Sequence, residues 1–154
     1  MSNGFLSPIS ISGPFVDRID FDANRNRPES DTLNASITIT TPDNLQLAHE
    51  NGKFTLPFSM QINFILTEEI EGSEETRLSV LASAVGSLSV ADAIGIPEHE
   101  VFEALKLNGV SMFYSFLRSQ VEIMTGQSLL GRFTIQPIDP AAYLEGLKQQ
   151  VNPV

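Results

Sequence analysis

The sequence predicts an α+β fold, a four-stranded antiparallel sheet packed against a long two-faced helix plus short helices, and two observations carry that expectation. From Phe54 to Leu66, the residues Phe54, Leu56, Phe58, Met60, Ile62, Phe64 and Leu66 alternate with Thr55, Pro57, Ser59, Gln61, Asn63 and Ile65. Successive side chains on a strand point to opposite faces, so the first set lines one side of a single strand. At about 3.3 Å per residue it reaches roughly 43 Å, about twice the usual length, and so long an apolar face must be covered. Beyond residue 97 the apolar spacing becomes helical, so the cover is made of helices. Strands first and helices after is the order of an α+β layer fold.

The elements follow in turn. Residues 1–13 mix Gly, Ser and Pro with a few apolar residues and are expected to be loosely held ahead of one domain over residues 14–150. Phe15, Ile19 and Phe21 suggest a first strand, closed by the polar stretch Asp22 to Asp31. Leu33, Ala35, Ile37 and Ile39 alternate with Asn34, Ser36, Thr38 and Thr40 in a second. Pro-Asp and Asn-Gly turn signals connect it to the long third strand. The acidic link from Glu68 to Glu75 contains Gly72 and reads as a solvated hairpin turn into a fourth strand near Thr76–Val85, where Leu81 interrupts the polar side. Strands two to four then form an antiparallel meander.

Pro97 opens a first, short helix with Glu98 and Glu100 in its first turn, running to about Leu107 and ending at Asn108-Gly109. A second helix is expected from Val110 to Thr125, stopped by Gly126. Phe133, Ile135 and Pro137 read as a short extended segment, and a third helix starts with Asp139 as N-cap and Pro140 at its first position. On the second helix, Val110, Phe113, Tyr114, Leu117, Val121 and Met124 form one apolar stripe, while Met112, Phe116 and Ile123 form another nearly opposite. One stripe covers the sheet. The other is either an oligomer interface or is covered by the first and third helices.

Composition narrows the function. A chain of 154 residues, 42% hydrophobic and 18% charged, has enough apolar surface for one folded core. Its net charge of −10 repels phosphate backbones, which argues against nucleic acid and anionic membrane surfaces and favours basic or partly unfolded polypeptides. Without cysteine there is neither a disulfide framework nor a thiolate metal site. No signal peptide and no membrane-length apolar run is read, so a soluble cytoplasmic protein is expected. His49 and His99 lack companions at ligand spacing. Asp20-x-Asp22-x-Asn24 opens like a calcium loop, but Arg25 stands where the turn needs glycine and Asp31 where a glutamate closes the site. No catalytic residue, metal site or cofactor is expected, and the chain is not read as an enzyme.

The C-terminal third carries a resemblance. Phe116-Leu117-Arg118 and the run Leu130-Gly131-Arg132-Phe133-Thr134-Ile135-Gln136-Pro137-Ile138-Asp139 resemble the tyrosine-x-arginine, alternating segment and Pro-(Val/Ile)-(Asn/Asp) pattern of SecB, the bacterial export chaperone family. Val16-Asp17-Arg18-Ile19-Asp20-Phe21-Asp22 is similar to that family's first strand, and Glu74-Glu75-Thr76 to the hairpin before its fourth. The resemblance implies a homotetramer, a dimer of dimers with long helices at the dimer–dimer interface, in which Met112, Phe116 and Ile123 would lie. It also implies an ATP-independent holdase that takes non-native polypeptides into apolar grooves. Candidates for such a groove are Ile37, Ile39, Phe54, Phe58, Met60 and Phe113, which read equally as plain core. The family's contacts with the translocase motor SecA fall on Arg18, Asp22, Ser79 and Leu81, of which only Asp22 keeps the expected character. Asp22 and Leu81 remain candidate contacts, and SecA binding is expected to be weak or absent. No counterpart of the family's C-terminal tail is expected after the third helix. The alternatives are a divergent SecB-like protein dedicated to one partner, for example in a toxin–antitoxin system, and a small-molecule binder using the space between sheet and helix.

Overall fold

The computed structural model describes residues 8–24, 32–92 and 95–151. Its elements are β1 (Ser10–Ala23), β2 (Leu33–Thr40), β3 (Ala48–Glu50), β4 (Lys53–Ile70), β5 (Ser73–Ala91), α1 (Glu98–Gly126) and α2 (Pro140–Val151). The sheet runs in the order β1-β5-β4-β2, all antiparallel, with β3 also paired to β4. β2, β4 and β5 are thus consecutive neighbours, and β1 closes the other side of β5. Successive strands β1 and β2 therefore form opposite edges of the sheet.

β4 is the long alternating strand, extended to 18 residues. Its set from Phe54 to Leu66 is buried, together with Leu78, Val80, Ala82, Ala84, Leu88 and Val90 of β5. Over this face lies α1, which buries Val101, Leu105, Val110, Phe113, Tyr114, Leu117 and Val121. At about 1.5 Å per residue a helix of 29 residues spans roughly 43 Å, which matches the buried stretch Phe54 to Leu66 of β4 in length.

Several expectations need correction. The hairpin Ala48–Glu50, turning at Asn51-Gly52 (φ 53° and 73°), adds a fifth strand where the sequence suggested a plain connection. β1 starts at Ser10, inside the segment expected to be loose. The acidic link is mostly strand: the turn is only Glu71-Gly72 (φ 51° and 81°), and Glu69 faces Glu74 across the ladder. Glu68 is not solvated. It is buried against Arg77, the residue that the β4–β5 register skips between Leu66 and Thr67.

The first and second expected helices are one. Asn108 does not end α1, because its Nδ2 donates to the Ala104 carbonyl at 2.8 Å within the helix. Gly109 serves close approach instead of termination: a Cβ there would sit 2.9 Å from Cδ2 of Phe58. The third helix begins as expected, with Asp139 Oδ1 accepting from the N–H of Ala141 at 3.0 Å. Phe133 to Pro137 lies in a connection outside the described helices and strands. Asp20 and Asp22 lie on β1, and residues 25–31 of that pattern lie outside the described residues.

Candidate functional site

With the sheet covered on one face by α1, apolar surface is left at the margins of that layer. β2 forms one margin. Its Leu33, Ala35, Ile37 and Ile39 pair with Glu68, Leu66, Phe64 and Ile62 of β4 and share their face. Leu33 and Ile39 are half-buried against the core, but Asn34 to Thr38 are exposed, and Ile37 is 41% exposed. Among the described elements, β2 lies against β4 alone.

The margin is bounded by the chain that follows α1. Thr125 Oγ1 accepts from the Phe133 N–H at 3.0 Å, and the Tyr114 hydroxyl donates to the Gln136 carbonyl. Between those anchors Ile135 is buried, and Phe133 lies against Phe64 with ring centroids 5.9 Å apart. The segment thus runs back along α1 and delivers α2, whose Tyr143 hydroxyl is 3.2 Å from Thr41 Oγ1 beyond the end of β2. Burial raises the Tyr114 phenol pKa above its ordinary value, while the Arg118 charge pulls it the other way. A cleft of about 340 Å³ lies where α2 starts beside α1, lined by Leu107, Asn108, Ser111, Asp139, Pro140 and Ala141.

The candidate groove residues divide. Phe54, Phe58, Met60 and Phe113 are core side chains, with Phe58 and Phe113 edge-to-face at 4.9 Å. Ile37 and Ile39 are the members of that set that reach the surface. On α1, Met112 and Ile123 are 38% and 55% exposed, while Phe116 is half-buried against the core. Of the motor-contact positions, Asp22 and Ser79 are opposite one another on β1 and β5, and Leu81 sits beside Asp20. Arg18 is tied to Asp20, and both are exposed.

Among the described residues, sequence reasoning missed several exposed apolar side chains. Phe15 lies on the outer sheet face beside Val85 and is 59% exposed, because β1 shifts register between Ser12 and Phe15 and again between Val16 and Arg18. Leu129, in the turn after α1, is also exposed, and nothing in its local pattern marks it. The histidine at 49 has a partner that spacing could not give: Asp92, with His Nε2 2.8 Å from the carboxylate, while its ring stacks on Phe54. Among the described residues there is no metal-binding cluster. No described helix is long and apolar enough to cross a membrane.

Among solved structures, the chain is similar to the SecB-like chaperone Rv1957 of Mycobacterium tuberculosis, determined in complex with a ChAD peptide from the antitoxin HigA1. The TM-score is 0.57 at 13% identity, over 84% of this chain and 90% of that one. The chain has the SecB-like fold. A protein of unknown function from Streptococcus agalactiae also aligns, with a TM-score of 0.47 at 12% identity over 84% of this chain and 97% of its own. No family model and no curated protein matches the sequence. At such low identity the likeness is one of fold: the layer arrangement is shared while most side chains differ.

Proposed function

We propose that this protein is an ATP-independent holdase of the SecB-like kind that binds non-native polypeptide along its β2 margin. The observation that carries the reading is the uncovered strip around Ile37, continuous through Ile39 and Leu33 with the core. Each 100 Å² of apolar surface that a client buries there is worth about 2.5 kcal/mol before the cost of ordering it. The complex of Rv1957 with an antitoxin peptide supports polypeptide as the ligand. The same complex supports a second reading, a chaperone dedicated to one partner of a toxin–antitoxin pair. The small-molecule reading has less support, because the space between sheet and helix is filled by Phe58, Met60, Phe113 and Leu117.

The working form is a homo-oligomer, a dimer or a dimer of dimers, held partly by the α1 stripe. Met112, Phe116, Ser119 and Ile123 follow the four-three-four spacing of a helix–helix seam. The protein acts in the cytoplasm, with delivery to SecA weak or absent. Aggregation suppression without nucleotide, on several unrelated unfolded substrates, tests the general holdase: stoichiometric oligomer should keep them soluble. Protection of none of them removes that reading. Capture of one protein from native lysate, confirmed by titration with the purified partner, would then establish the dedicated one.

A further inference from the structure

Two Asn-Gly pairs lie among the described residues, and their surroundings are opposite. Asn51-Gly52 is the whole turn between β3 and β4, with Glu50 paired to Lys53 across it. Both turn residues are exposed and at positive φ, 53° and 73°, as in a type I′ hairpin turn. Among the described residues nothing accepts from the Gly52 N–H and nothing bonds the Asn51 carboxamide. No atom beyond the chain neighbours lies within 4 Å of where a Gly52 Cβ would stand. Asn108-Gly109 is closed on every count. Gly109 is buried, its N–H lies inside the continuous helix α1, and the Asn108 Nδ2 is held by the Ala104 carbonyl at 2.8 Å.

We propose that Asn51 is a modification site, converted without an enzyme to aspartate and isoaspartate, and that the isoaspartate form releases β3. The Gly52 nitrogen attacks Cγ of Asn51. As that C–N bond forms, the carboxamide nitrogen leaves as ammonia and carries off the Gly52 amide proton. Water then opens the cyclic imide at either carbonyl. One opening yields aspartate. The other yields isoaspartate, whose main chain runs through the former side chain and is one carbon longer. A two-residue turn has no slack for that carbon, because turn length sets hairpin register. β3 has only three residues and pairs with β4 alone, so little else holds it. Its release frees a defined set of contacts. The His49 ring stacks on Phe54 with centroids 4.1 Å apart, and its Nε2 lies 2.8 Å from the Asp92 carboxylate. The Asp92 N–H donates to the Gly52 carbonyl at 2.9 Å. Phe54, now 8% exposed, gains surface once that ring leaves. Both products also place a new carboxylate next to Glu50 in a chain already at −10.

The test ages the full chain in warm, mildly alkaline buffer, follows each asparagine by peptide mapping and reads isoaspartate by enzymatic methylation. Ammonia loss at Asn51 should run roughly tenfold or more ahead of Asn108, which must wait for α1 to open locally. Asn51→Gln, whose longer side chain closes the ring far more slowly, should abolish the reaction at this turn. The isoaspartate form, separated by chromatography, should show faster hydrogen exchange over residues 48–55 and stronger binding of a hydrophobic dye, with α1 unchanged. Freshly prepared Asn51→Asp supplies the charge without the extra carbon and should keep β3 paired. An unreacted Asn51 overturns the site. So do equal rates at Asn51 and Asn108, which would route the chemistry through the unfolded chain. An isoaspartate form with the parent's exchange over β3 overturns the release. Asn51→Asp exchanging as fast as the isoaspartate form also overturns it, because charge alone would then be the cause.

Discussion

Removing Glu68 tests how the far end of the β4–β5 hairpin is held. Arg77 Nε donates to Glu68 Oε2 at 2.9 Å, and the two side chains are 4% and 0% exposed. Breaking such a pair from one side leaves an uncompensated buried charge, at a cost of about 3–5 kcal/mol. Here the arginine keeps one fallback: its Nη2 is 3.6 Å from Glu75, a carboxylate that is more than half exposed and offsets about 1 kcal/mol at most. Glu68→Ala is therefore expected to cost about 2–4 kcal/mol, a fall of roughly 4–16 °C in Tm for a chain of this size. Replacing both partners, Glu68→Leu with Arg77→Met, removes the stranded charge with the pair and should come within about 1 kcal/mol of the parent. Urea unfolding followed by circular dichroism, at fixed protein concentration, measures all three. A cost below about 0.5 kcal/mol for the single substitution would show that the charge finds water, and the reasoning would fail. A double variant as unstable as the single would equally refute it, because shape and not charge would then be what the site requires.

Three further outcomes are expected. Ile123→Asp, at the most exposed position of the α1 stripe, should lower the mass by light scattering with no change in far-UV circular dichroism; an unchanged assembly, or a monomeric parent at micromolar concentration, sinks the stripe as an interface. Tyr114→Phe should cost about 1 kcal/mol through the lost bond to the Gln136 carbonyl. Because the folded state holds the phenol proton above the ordinary pKa of about 10, the unfolded chain releases it first, so the parent loses stability above pH 10 more steeply than the variant. Titration calorimetry with SecA should give weak or no binding, and tight salt-sensitive association would overturn the argument from Arg18, Ser79 and Leu81.

The layer order was legible because its signals are periodic. Alternation from Phe54 to Leu66 gave the central strand and its buried face, Asp139-Pro140 gave the start of the last helix, and Glu71-Gly72 turned where a glycine was expected to allow it. Gly109 misled because glycine has two uses. Its missing side chain admits the Phe58 ring, and in sequence that looks the same as a helix end. Phe15 misled because register shifts on β1 depend on Pro14 and on the partner strand, which local alternation does not contain. The groove candidates exposed the larger limit: an apolar residue on the inner face reads alike whether α1 covers it, as with Phe58, or stops short, as at Ile37.

The sheet order also has a kinetic consequence. β1 is the first strand to leave the ribosome, yet its partner is β5, with Ser10 opposite Ser89 and Ala23 opposite Leu78. The β4–β5 hairpin closes locally around Glu71-Gly72 and can form as soon as it is synthesised, with β2 a short step away on β4. β1 must wait for roughly 70 further residues, about 3.5–14 s at about 5–20 residues per second. Throughout that interval Ile11, Ile19 and Phe21 have no sheet to face. Its first strand is thus the segment of the sheet that stays unpaired longest during synthesis.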